Sequence, residues 1–175
     1  ASDQFEMLRE MSVKALDSCD MVVITAGSSA SARDLTSLVI QSLGRPGVLV
    51  HGVNIKPGKP TILAICDGKP VIGLPGNPVS AFVIGRYFVR PVLERMQGLK
   101  GNTFRPNLPA RLSINLASQA GREDWIPVRI HITSEGYQAE PVFGKSNLIF
   151  SLVRADGLIR IPPDATGLSA GDLVE

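Results

Sequence analysis

Three short stretches hold the residues best suited to chemistry. The first is Thr25-Ala26-Gly27-Ser28-Ser29-Ala30-Ser31-Ala32-Arg33-Asp34. Small residues let backbone N–H groups approach an anion, and the positive end of a following helix adds to the attraction. The hydroxyls of Thr25, Ser28, Ser29 and Ser31 can donate further hydrogen bonds. The same letters also describe a plain strand-to-helix turn, with Asp34 placed where a helix start favours a carboxylate. The second stretch is Lys56-Pro57-Gly58-Lys59-Pro60. It offers two ammonium groups on a stiff connection, a spacing suited to a polyanion such as phosphate. A solvated loop is the competing reading. The third is Gly73-Leu74-Pro75-Gly76-Asn77-Pro78-Val79-Ser80-Ala81. It presents free N–H groups at a helix start, with Asn77 able either to cap that helix or to meet a ligand.

Those stretches need elements to hold them. Phe5, Leu8, Val13 and Leu16 recur at helical spacing over residues 3–18. The wholly apolar run at 21–24 suits a buried parallel strand, and a helix is expected from Asp34 to residue 43, stopped by Gly44. Residues 48–53 read as a strand, and Lys56 to Pro60 as a loop. Residues 61–66 and 69–73 read as a hairpin turned by Asp67-Gly68. A long helix follows Pro78, which suits a first helical turn, and runs to about Met96. Each of the three stretches is thereby expected near the C-terminal end of a strand, where open α/β sheets bind ligands.

Residues 99–108 are rich in Gly, Pro and Asn and read as a linker between a domain at 1–98 and a second at 109–175. Beyond the linker, alternating segments at 110–116, 128–133, 137–142, 157–161 and 171–174 predict a small all-β barrel or sandwich. The first domain has fewer strands than an open parallel sheet normally needs.

Composition narrows the function classes. Of 175 residues, 44% are hydrophobic and 19% charged, which is enough apolar material for a core. A net charge of +2 with scattered basic residues argues against nucleic acid. No apolar run approaches the ~20 residues that span a bilayer. Cys19 and Cys66 lack metal spacing and read as reduced core thiols of a cytoplasmic protein. His51 and His131 have no metal-ligand company and read as structural, and Trp125 is expected in a surface turn.

Taken together, the ordered series T-A-G-S-S-A-S-A-R-D, H-G-V-N-I-K-P-G-K-P-T and G-L-P-G-N-P-V-S-A closely resembles the catalytic domain of the molybdopterin molybdenumtransferases, a family that includes bacterial MoeA and the E domain of gephyrin. Ser151-Leu152-Val153-Arg154-Ala155-Asp156-Gly157-Leu158 and Leu168-Ser169-Ala170-Gly171-Asp172 look like that family's C-terminal β-domain, so the resemblance covers about the whole chain. It implies an α/β fold class: an incomplete three-layer molybdopterin-binding domain followed by a small β-barrel domain. It implies insertion of molybdate into adenylylated molybdopterin with release of AMP, assisted by magnesium.

On that resemblance Gly27, Ser28, Ser29, Ser31, Lys56, Pro57, Gly58, Lys59, Pro75, Gly76, Asn77 and Ser80 would bind substrate. Asp34 would be catalytic and hold the metal. Asp67 falls near a second acidic position of the family, with a hairpin turn as its other reading.

Two positions depart from the family pattern G-G-x-S-x-G-x-x-D, with Ala26 at the first Gly and Ser31 at the later one. A Cβ at a position of positive φ costs about 1 kcal/mol. A non-catalytic molybdopterin or molybdate-binding module is therefore the alternative reading. Family members carry further N-terminal domains that supply dimerisation, so the chain is expected to be a C-terminal fragment of a homodimeric protein and to turn over poorly by itself.

Overall fold

The computed structural model describes residues 2–25, 30–99, 107–144 and 149–175, with the side chains of 2, 3 and 30–34 left aside. The chain divides into two compact units, Ala1–Val53 with Gly58–Met96, and Asn54–Pro57 with Gln97–Glu175.

The first unit is built on a four-stranded sheet of order β1-β5-β4-β2. The strands are β1 (Val22–Thr25), β2 (Pro46–His51), β4 (Ile62–Cys66) and β5 (Lys69–Leu74). β1 runs parallel to β5, with Val22 opposite Val71 and Thr25 opposite Leu74. β4 and β5 form the expected hairpin, in which Ile62 faces Gly73 and Cys66 faces Lys69. Asp67 and Gly68 both take positive φ at its tip. β2 closes the far edge antiparallel to β4 and bulges between Val48 and Val50. A bulge on an edge strand twists it away from further pairing.

Helices α1 (Ser2–Ser18) and α2 (Ala30–Gln41) cover one face. Leu16, Val39, Ile40 and Leu43 bury there against Val22, Ile24, Ile62, Ala64, Cys66 and Val71. Lys69 Nζ donates to the carbonyl of Leu16 near the end of α1, where helix carbonyls lack partners. On the other face Ile72 and Leu74 are buried, as are Val79, Val83 and Ile84 of α3 (Pro78–Ile84). That makes three layers. The apolar run of β1 is not buried on both sides, however. Val22 and Ile24 are buried, while Val23 is 41% exposed.

The long helix is present but interrupted. A π-helical turn at Gly85–Val89 joins α3 to α4 (Arg90–Met96). Pro91 explains the irregularity. Proline has no N–H, and its ring collides with the carbonyl four residues back, here that of Tyr87. Widening the preceding turn, with Arg90 N bonded to Gly85 O, moves that ladder out of α-helical register.

The second unit is a half-barrel of β10 (Gly157–Ile161), β8 (Glu123–Thr133), β9 (Gly136–Pro141), β6 (Ala110–Leu112) and β12 (Leu173–Val174), in that order. A separate pair joins β7 (Leu116–Ala117) to β11 (Gly167–Leu168). One four-residue helix, α5 (Phe150–Val153), is added. The core holds Leu112, Leu116, Val128, Ala139, Ile159 and Ile161. The sixth strand of the sheet is β3 (Ile55–Lys56), which pairs parallel with the start of β8. Residues 54–57 thus group with the second unit although in sequence they fall between the two parts of the first. Trp125 lies within β8 and not in a turn, and its Nε1 donates to Glu123 Oε1 at 2.7 Å. Among the described residues no helix is long and apolar enough to cross a membrane.

Candidate functional site

The register of the first sheet decides which stretches meet. β1 ends at Thr25 opposite Leu74, the end of β5. The start of β4, Ile62, faces Gly73, and His51 at the end of β2 faces Ile62. The stretch after Thr25, the turn at Pro75-Gly76-Asn77 and the segment entering β4 therefore all leave one end of this sheet. The first and third stretches directly follow the C-terminal ends of β1 and β5, and the Lys-Pro-Gly-Lys-Pro stretch comes shortly after the C-terminal end of β2 and enters the start of β4.

Gly27, Ser28 and Ser29 lie outside the described residues, as do the side chains of Ser31 and Asp34. The backbone places both latter residues inside α2, which starts at Ala30. Asp34 is thus past the first turn, so stabilisation of the helix start by its carboxylate does not account for it. Among the described residues no group of three or more His, Cys, Asp or Glu is placed to hold a metal.

The Lys56–Pro60 stretch is more ordered than a solvated loop. Lys56 belongs to β3, since a residue before proline is driven to extended backbone. Pro57 follows through a cis peptide. Gly58 is buried, and its carbonyl accepts 2.6 Å from the hydroxyl of Thr61, itself fully buried. Val53 N donates to Lys59 O at 2.9 Å and Gly52 N to Thr61 O at 2.8 Å. Lys59 is exposed and belongs to the first unit, whereas Lys56 and Pro57 belong to the second. Lys56 Nζ lies 4.0 Å from Asp124 Oδ2, with side chains 63% and 4% exposed.

In the third stretch Pro75 is buried and Gly76 exposed. Asn77 occupies the cap position of α3 with extended backbone, yet its side chain makes no capping bond to the helix. The helix start is closed by Ala81 N donating to Asn77 O at 2.9 Å. Side-chain capping is therefore not what Asn77 does here. Ser80 is only 4% exposed, in the first turn of the helix. Gly73 has a packing reason: a Cβ there would stand 3.0 Å from Ile62 Cβ and 3.3 Å from Ile40 Cδ1.

Asp67 is not part of this group. It sits at the β4–β5 tip, at the other end of β5, a length of about 17 Å. Its Oδ1 accepts from Arg45 N at 2.9 Å, and its own N donates to Arg45 O at 3.0 Å. The hairpin reading is the one realised. Cys66, beside it, is buried, and burial first, then the charge of Asp67, pushes its thiol pKa up. Cys19 is exposed, contrary to a core position.

His51, read as structural, and Asp124, which no motif singled out, are placed by the topology. His51 is exposed at the site end of β2, with Nδ1 3.3 Å from Ser37 Oγ on α2. Asp124 is buried in β8 and gripped by Arg122 through Nε at 2.7 Å and Nη2 at 3.1 Å. These bonds push the pKa of Arg122 up further. His51 had no local sequence signal, because its partner comes from another element, whereas Asp124 pairs with Arg122 only two residues away. His131 pairs with Glu140 at 2.7 Å in the second unit.

Known proteins share this arrangement. Residues 1–95 match the family described as "Probable molybdopterin binding domain", and residues 109–175 match the "MoeA C-terminal region (domain IV)". A protein of Methanocaldococcus jannaschii is 38% identical over 175 residues, covering 99% of this chain and 40% of its own length. The molybdopterin molybdenumtransferase of Haemophilus influenzae is 30% identical over 164 residues, or 93% of this chain and 40% of that protein. The crystal structure of a molybdopterin biosynthesis MoeA protein from Pyrococcus horikosii superposes with a TM-score of 0.76 at 38% identity, covering 95% of this chain and 39% of that one. The chain thus spans about 40% of the length of the relatives it matches. It belongs to the molybdopterin-binding domain family over residues 1–95 and continues into a match to the MoeA C-terminal region.

Proposed function

We propose that this chain carries the pyrophosphate-binding part of a site for adenylylated molybdopterin, and serves molybdenum cofactor biosynthesis by insertion of molybdate with release of AMP. The observation that carries the reading is that β1 leading into the first stretch, the turn at Pro75-Gly76-Asn77 and the segment with Lys59 that enters β4 share one end of the first unit's sheet. Phosphate oxygens suit this end chemically. Lys59 would neutralise charge and the backbone N–H groups of Gly76 and Asn77 would donate to the oxygens, with Lys56 and the loop at residues 27–32 added by the family resemblance alone. Pro57, Gly58 and Pro75 hold those donors in place, and Ser80 supports the turn from within.

Magnesium fits the donor set better than zinc or calcium. One carboxylate, Asp34, together with substrate phosphates and water is the usual magnesium environment, whereas zinc and calcium require more protein ligands. Bound there, magnesium would supply charge stabilisation at the phosphate being cleaved. The domain division is proposed at 1–98 and 109–175, with residues 54–57 lent to the second domain. A cytoplasmic location and a homodimeric longer protein belong to the same reading.

The test is AMP release from adenylylated molybdopterin, with molybdate and magnesium, by a longer protein containing this chain. Release that falls at least a hundredfold on Asp34→Ala is the expected result. A folded protein that binds molybdopterin but releases no AMP would sink the enzyme reading. It would favour a non-catalytic binding module, which Ala26 and Ser31 suggest.

A further inference from the structure

We infer that His51 is an anion-binding residue of the first unit: its Nε2–H donates to phosphate oxygens held beside Lys59, and Ser37 is the positioning residue that aims the ring. The inference deepens, and rests on, the reading of this sheet end as a phosphate site.

All of its parts lie in the first unit. Strand pairing lines up Ile24, Gly73, Ile62 and His51 across β1, β5, β4 and β2. Directly opposed residues share a face of the sheet. Ile40 of α2 packs on that face, with its Cδ1 3.3 Å from where a Gly73 Cβ would stand. Ile24 and Ile62 are buried, whereas His51, on the edge strand, is exposed. An apolar row under the helices thus ends in an imidazole open to solvent, at the last residue of β2. Gly52 then takes φ 98, a left-handed conformation that suits glycine, and turns the chain. Gly52 N donates to Thr61 O at 2.8 Å and Val53 N to Lys59 O at 2.9 Å. His51 and Lys59 therefore stand on paired arms of backbone. Because β4 lies between β2 and β5, the arm with Lys59 enters between His51 and the turn at Gly76.

Serines inside helices commonly return their hydroxyl to a carbonyl of their own helix. In α1, Ser12 does so to Leu8 O at 2.7 Å and Ser18 to Lys14 O at 2.8 Å. Ser37, half-buried on α2, is bonded across to β2 instead, with Oγ 3.3 Å from His51 Nδ1. A neutral imidazole has one donor and one acceptor nitrogen. With the Ser37 hydroxyl donating to Nδ1, the hydrogen sits on Nε2. With the ring protonated, Nδ1 donates to Ser37 and Nε2 keeps its hydrogen. Either way Nε2 offers an N–H to an anion. A hydroxyl partner also orients the ring without opposing a negative ligand. His131 differs on this point, since Glu140 at 2.7 Å meets its ring within the second unit.

The experiment is calorimetric titration of inorganic pyrophosphate into the 175-residue chain and its variants, with folding checked by circular dichroism. Side-chain amides separate the two ring nitrogens. Glutamine can place its NH₂ near the position of Nε2, and asparagine near that of Nδ1. His51→Asn should weaken binding about fivefold, while His51→Gln stays within about twofold of the parent. Ser37→Ala should weaken it about threefold, and Ser37→Thr, which keeps the hydroxyl, should not. The His51→Asn/Ser37→Ala double variant should bind no more weakly than His51→Asn alone. Lys59→Met serves as the control for the site itself.

Unchanged affinity in His51→Asn, with Lys59→Met weakened, would overturn the role of His51 and leave the phosphate site standing. Equal losses in His51→Asn and His51→Gln would overturn donation from Nε2. Losses that add in the double variant would overturn positioning by Ser37. A parent chain that binds no pyrophosphate, or unchanged affinity in both Lys59→Met and His51→Asn, would remove the phosphate reading and this inference together.

Discussion

Acidic residues that look alike in the sequence separate by what they touch. Asp67 closes the β4–β5 tip against Arg45 and takes φ 48. Aspartate and asparagine tolerate that conformation better than alanine does. Asp67→Ala should therefore lower stability by about 1–2 kcal/mol. Pyrophosphate affinity should stay within about twofold of the parent chain. Denaturant melts with parallel calorimetry check this. Lost binding at retained stability would return Asp67 to the site. The thiols separate in the same way. Cys66 is buried with a raised pKa, and Cys19 is exposed. Iodoacetamide at neutral pH should label Cys19 in the folded chain and Cys66 only after unfolding. The sign for stability follows from the raised pKa. The folded chain keeps Cys66 protonated where the unfolded chain would ionise. This contribution is present below the unfolded thiol pKa of about 8.5 and is lost as pH rises past it.

At the level of elements, the Gly-Leu-Pro-Gly-Asn-Pro stretch splits into packing and exposed parts. Gly73 is confined by Ile62 and Ile40, while Gly76 is exposed at the turn. Gly73→Ala should destabilise the chain by roughly 1–3 kcal/mol through overpacking. Its effect on pyrophosphate affinity should be small once the protein is folded. Gly76→Ala should do the reverse, weakening pyrophosphate binding with little change in melting temperature. If Gly76→Ala leaves affinity untouched, the turn at residues 75–77 is not a phosphate contact. The interrupted helix belongs to this scale as well. Pro91 was visible in the sequence, but the helix was read on to about Met96, and it does resume at Arg90 because the chain widens one turn before the proline rather than ending there.

For the molecule as a whole, two cores form, and the stretch at residues 54–57 strengthens the second with a strand from the first half of the chain. The chain spans about 40% of its relatives' length, so binding and turnover are separable expectations. The 175-residue chain should bind pyrophosphate through its lysines, and that affinity should fall as salt screens them. Its AMP release should be at least tenfold below that of a longer protein containing it, as measured in single-turnover assays. Equal rates would show that these two units suffice for catalysis.

Much of this was legible locally. The Asp67-Gly68 hairpin, the helix before β1 and the helix start at Pro78 follow from turn chemistry and 3.6-residue spacing, which act over a few residues. The family motifs likewise named Lys56, Lys59, Gly76 and Asn77 without coordinates. Pairings between distant segments were not legible in this way. Local patterning does not contain the register that sends Asp67 away from the other candidates. Nor does it contain the strand pairing that sets Lys56 opposite Asp124, because both depend on which edges of a sheet find each other. Backbone hydrogen bonds between strands read no side chains, so only the burial of two complete cores, reached in the tertiary fold, selects among the possible pairings.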